Sequence, residues 1–95
     1  MKKIDLETKK GIYLIKTSSK SVYILRITND KVTIKRSPQN EELSLRKDNN
    51  EIEVLDFLPV IVGECAKFKL EPLGEGDCTY RITTKVIGIS KLYIN

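Results

Sequence analysis

The chain has no histidine and no tryptophan, only two cysteines, three prolines and five glycines, and aromatic residues make up 6% of its 95 positions. Without histidine there is no Ser-His-Asp or Cys-His nucleophile, and the commonest zinc ligand and general acid–base group is missing. An enzyme would have to run on carboxylates, lysine or a lone cysteine, so a non-enzymatic role is expected. No long apolar run occurs either. The longest, Phe57-Leu58-Pro59-Val60-Ile61-Val62, falls far short of the roughly 20 residues that span a bilayer. Lys2 and Lys3 resemble the start of a secretion signal, but Asp5, Glu7, Lys9 and Lys10 stand where its apolar stretch belongs, and no signal is read.

Cys65 and Cys78 fall in one apparent hairpin. Pairing its apolar faces sets Leu70 opposite Tyr80 and Phe68 opposite Ile82. The cysteines then point to opposite faces, out of register, and cannot meet the geometry of a disulfide. Two free thiols suit a reducing compartment, so a cytoplasmic protein is expected.

What is present is alternation. Short runs of period two recur between turn residues, and no segment of 11 or more residues carries a helical period. Strands are expected at Ile12–Lys16, Val22–Ile27, Val32–Arg36, Leu43–Arg46, Ile52–Leu55, Val60–Val62, Cys65–Leu70, Cys78–Ile82 and Val86–Ile89, with Leu92–Ile94 as an extension of the last. Asn29-Asp30 reads as a two-residue hairpin loop that tolerates positive φ. Some of these runs merge, and the pattern predicts a single all-β domain over residues 1–95. It is a compact antiparallel β-sandwich or small barrel of seven to eight short strands, with no substantial helix. The apolar ends, Ile4–Leu6 and Leu92–Ile94, should pair within the chain or across a dimer interface, giving a monomer or a homodimer.

Charge is uneven. Ten of the 17 Lys/Arg but only three of the 13 Asp/Glu lie in residues 1–36, a balance of +7 against −3 for the rest. Such asymmetry points to a polyanionic partner. With the first turn centred on Ser18-Ser19, Leu14 pairs with Tyr23 and Ile12 with Leu25. One face of the meander then collects Ile12, Leu14, Tyr23, Leu25, Ile27, Val32 and Ile34 as core. The other collects Tyr13, Ile15, Val22 and Ile24, bordered by Lys20, Arg26, Thr33 and Lys35. An apolar centre with a charged rim is the composition of a protein interface. The partner-binding residues expected are therefore Tyr13, Ile15, Lys16, Lys20, Val22, Ile24, Arg26 and Lys35, and the partner another protein. The alternative is single-stranded nucleic acid, with Tyr13 as a stacking ring and the basic residues on phosphates. Strand-based RNA readers present two or three rings, and here only Tyr13 is offered.

Other motifs carry less. Asp48-Asn49-Asn50-Glu51 lacks the glycine and distal glutamate of an EF-hand and reads as a turn. Gly74-Glu75-Gly76-Asp77 has no following Lys-Ser/Thr and is not a phosphate loop. No metal ligands, no cofactor and no membrane partner are expected.

Overall fold

The computed structural model describes residues 1–37, 51–74 and 76–92. Among them eight strands form and no helix: β1 (Lys3–Ile4), β2 (Gly11–Thr17), β3 (Val22–Ile27), β4 (Val32–Ser37), β5 (Ile52–Phe57), β6 (Val60–Ile61), β7 (Cys65–Leu70) and β8 (Thr79–Leu92). Six of them close a barrel in the order β2-β3-β4-β5-β7-β8, every pairing antiparallel, while β1 and β6 make a separate two-stranded sheet. Of the two architectures the sequence allows, the barrel is the one adopted. The expected strand at 43–46 and the turn at 48–50 lie outside the described residues.

Closure depends on β8. A straight strand of its 14 residues would run about 46 Å, longer than the 34 Å maximum extent of the molecule. It therefore coils, and two register shifts let it do so. The first half pairs with β7, slipping between Cys65↔Lys85 and Lys67↔Ile82. The second half pairs with β2, slipping between Lys16↔Gly88 and Thr17↔Val86, which leaves Ile87 as the extra residue. Such bulges bend a strand and increase its twist, which turns an open meander into a closed one. At the first, Thr83 Oγ1 accepts the Ala66 N–H at 2.9 Å, replacing a lost ladder bond.

The interior is filled by alternate residues of each strand. Tyr13, Ile15, Tyr23, Leu25, Ile34, Ile52, Val54, Phe57, Ala66, Phe68, Leu70, Val86 and Ile89 are buried together, joined by Ile4 and Val60 from the small sheet. Phe68 is the hub of the rings, 6.5 Å from Tyr23 and 6.0 Å from Phe57, separations at which aromatic pairs add about 0.5–1.5 kcal/mol to burial. Ile4 pairs with Val60 as β1 meets β6, so the expected N-terminal pairing holds for Ile4 alone, and Leu6 is left exposed in the following turn. Leu92 pairs with Ile12 at the other end, and the rest of the expected C-terminal pairing, residues 93–94, lies outside the described residues.

Two hairpin registers differ from expectation by one residue. In the first, Tyr13 pairs with Leu25, Ile15 with Tyr23 and Lys16 with Val22. The loop is Ser18-Ser19-Lys20, closed by Thr17 N–H to Ser21 O at 3.1 Å and Lys20 N–H to Thr17 O at 3.0 Å. Lys20 takes φ 67, as in three-residue hairpins whose last loop position is left-handed. One extra loop residue flips every side chain of β2. Tyr13 and Ile15, expected outside, are 1% and 0% exposed, while Ile12 and Leu14 turn outward. In the second hairpin Leu70 pairs with Thr79 and Phe68 with Arg81. Tyr80 and Ile82, expected in the core, stand 60% and 65% exposed, and Arg81 and Thr83 take the interior. The β3–β4 hairpin matches expectation, Ile27 opposite Val32 and Leu25 opposite Ile34, without a positive φ at Asn29 or Asp30.

Candidate functional site

The outer face of β2 and β3 keeps the predicted character with two changed members. Leu14 pairs with Ile24, Ile12 with Arg26 and Lys16 with Val22. Ile12, Leu14, Val22 and Ile24 are half-buried, none belongs to the core cluster, and together they form an aliphatic strip outside the barrel. The β8 bulge adds Ile87, 57% exposed, and Leu92 extends the strip beside Ile12. The strip closes on the β4 side, where Thr33 is buried and Lys35 half-buried. Its open part lies over β8, β2 and β3.

The basic rim is unequal. Lys16 and Lys20 are exposed and, with Thr17, Ser18, Ser21, Val22 and Ile87, line a cavity of about 320 Å³ at one end of the strip. Arg26 pairs with Glu51 at 3.1 Å, both about half exposed, so its charge is already matched. Lys35 stands opposite Ile24 at the closed edge. Lysine, not arginine, thus dominates the open end, offering point charges rather than bidentate forks.

The turn that carries Lys20 is tethered. Ser18 N–H donates to Lys85 O at 2.8 Å, Ser19 N–H to Thr84 Oγ1 at 3.2 Å, and Thr84 Oγ1 to Ser19 Oγ at 2.9 Å. Thr17 Oγ1 donates to Ser21 O at 3.2 Å, and Arg36 Nη2 to Ser21 Oγ at 2.9 Å from inside the barrel. The bonds of Ser18 and Ser19 reach across some 65 residues of sequence to the bulged part of β8, and with those at Ser21 they hold the loop in one geometry. At position 20 a left-handed backbone favours glycine, and a lysine there costs about 1–2 kcal/mol. A cation is held beside the cavity in spite of that cost, the kind of local strain that collects at binding sites.

Of the eight residues expected to bind a partner, Lys16, Lys20, Val22, Ile24, Arg26 and Lys35 share this face, and Tyr13 and Ile15 do not. The Tyr13 hydroxyl donates to Lys9 O at 2.6 Å, and Lys91 Nζ lies 5.9 Å from its ring centre, so the ring is a packed core member. Ile12, Leu14 and Ile87 are the members sequence reasoning missed. The glycine after Ile87 was the available signal for a bulge. Both thiols are free, Cys65 exposed and Cys78 half-buried. Among the described residues no group of three or more His, Cys, Asp or Glu is placed to hold a metal ion, and no helix is long and apolar enough to cross a membrane. Comparison with protein-family models, curated proteins and solved structures finds no match.

Proposed function

We propose that this chain is a small, non-enzymatic protein-binding module that docks a partner on the strip of Ile12, Leu14, Val22, Ile24 and Ile87. The partner is a protein that lays an apolar side chain along Leu14 and Ile24 and sets acidic groups against Lys16 and Lys20. One observation carries this reading over nucleic acid: the register that buries Tyr13 leaves the strip aliphatic, with no aromatic ring on it among the described residues. A strip without a ring cannot stack bases, whereas an aliphatic centre with a basic rim suits a protein surface. The free thiols fit a reducing compartment, and the cytoplasm is the proposed location.

The test is affinity capture with the wild type and with Leu14→Asp/Ile24→Asp, both checked for an unchanged barrel by circular dichroism. A partner held by the wild type should be released at least tenfold faster by the double variant, the range expected when central anchors are lost. Identical capture by the two proteins would remove the strip from the interface.

A further inference from the structure

The opposite side of the barrel carries a second site, built by the one-residue shift in the β7–β8 register. Asp56 pairs with Lys69 and Lys69 with Tyr80, forming a row across β5, β7 and β8. One row away, Lys67 pairs with Ile82, and Leu58 N–H donates to Lys67 O at 3.3 Å. Between the rows, Phe57, Phe68 and Arg81 point inward, so both rows point outward. The β5 bulge between Val54 and Asp56 is what turns Asp56 out, since Leu55 and Asp56 are exposed in succession.

The result is a shallow cavity of about 290 Å³ lined by Asp56, Phe57, Leu58, Lys67, Lys69 and Tyr80. Tyr80 is its ring. It is 60% exposed, and Lys67 Nζ lies 5.6 Å from its centre. An exposed ring on a strand, with one ammonium on its cross-strand partner Lys69 and another two residues away on Lys67, brings together the two elements that bind single-stranded nucleic acid. A planar face stacks a base and cations meet the flanking phosphates. The Asp56 carboxylate accepts the Phe57 N–H at 2.8 Å through Oδ1, which leaves Oδ2 to accept from an exocyclic amino group.

We propose that the Tyr80 face binds one nucleotide unit, with the base stacked on Tyr80, the phosphate on Lys67 and Lys69, and the amino group of cytosine or adenine on Asp56. The unit is either a free nucleotide or one position of a single strand. The site shares no residue with the aliphatic strip, so it stands or falls independently of the protein-binding role.

The experiment is fluorescence anisotropy at low salt with a labelled eight-nucleotide oligo(dC) and oligo(dT), and with unlabelled CMP as competitor. Wild type should bind oligo(dC) more tightly than oligo(dT). Tyr80→Ala should weaken binding roughly 5- to 150-fold, the worth of one stacked base, and Tyr80→Phe should restore it. Lys67→Ala/Lys69→Ala should flatten the slope of log K against log salt by about 1.4, two phosphates at a single-strand weight of about 0.7 each. Competition by CMP identifies a free-nucleotide site, and its failure a strand site. Leu14→Asp/Ile24→Asp should bind as wild type. No binding of either oligonucleotide or of CMP, or binding unmoved by both Tyr80→Ala and the lysine pair, would overturn the proposal. Equal affinity for the two oligonucleotides would overturn the part assigned to Asp56.

Discussion

The two outer faces of this barrel respond differently to the same displacement. On β2, shifting the register by one residue exchanges Tyr13 and Ile15 for Ile12 and Leu14. Both sets are apolar, so the face keeps its character and loses only its ring. On β8, the same shift exchanges Arg81 and Thr83 for Tyr80 and Ile82. There the character inverts: polar side chains enter the barrel and a tyrosine and an isoleucine are left in water. A strand that is apolar on both sides conceals its register in its composition, while an alternating strand stakes its whole surface on it. Among the described residues, the ring a nucleic-acid reading needs is absent from the first face and present on the second.

The two tyrosines give the largest expected contrast. Tyr13→Ala removes a buried ring and its hydrogen bond to Lys9 O, and should cost about 3–5 kcal/mol, whereas Tyr80→Ala should change stability by less than about 0.5 kcal/mol. Urea unfolding of both variants measures this directly. Similar losses at the two positions would mean that the faces do not differ as described.

A smaller effect sharpens the account of the first face. Lys20→Gly relieves a left-handed backbone and offsets that with extra freedom in the unfolded chain, for a net gain of about 0.5–1 kcal/mol. Partner association should slow at the same time, because a rim charge acts mainly on the encounter. Thermal melting beside association kinetics separates the two. A variant that gains stability with unchanged kinetics would leave Lys20 as turn geometry alone.

The smallest effect serves as a reference outside both faces. The Glu7 backbone N–H donates to Asp5 Oδ1 at 3.0 Å, and this bond, helped by Lys3 at 3.5 Å, holds the Asp5 carboxyl below its ordinary value. The folded state therefore binds this proton less readily than the unfolded chain. Its contribution is complete above the unfolded value and is lost as pH falls through the lowered one. Carboxyl titration by NMR should place Asp5 below the ordinary aspartate value, and Lys3→Ala should raise it only slightly, since the backbone bond remains. An Asp5 carboxyl that titrates at or above the ordinary aspartate value would break this assignment.

Legibility followed the loops. Asn29-Asp30 allows one register for β3 and β4, and that register was readable. Thr17-Ser18-Ser19-Lys20-Ser21 has no Gly, Pro, Asn or Asp to mark its left-handed position, so a three-residue loop looked like a two-residue one. The connection from Glu71 to Cys78 is too long to impose a register at all. Apolar matching then chose Tyr80 and Ile82 for the interior, where the barrel takes Arg81 and Thr83.

Alternation, turn residues and composition are local properties, and they were enough for an all-β antiparallel chain, the β3–β4 register and a basic N-terminal meander, whereas the free-thiol expectation rested on a β7–β8 register that the structure does not adopt. Barrel over sandwich, the exposure of Tyr80, Ile82 and Ile87, and the burial of Tyr13 were settled by long-range pairing instead. Closure and the exposure of Ile87 follow from how far β8 must coil to meet both β7 and β2, its two bulges resetting the inward phase along the strand, while Tyr13, Tyr80 and Ile82 follow from the registers of the β2–β3 and β7–β8 hairpins. A bulge is an agreement between two strands distant in sequence, and neither strand carries it alone.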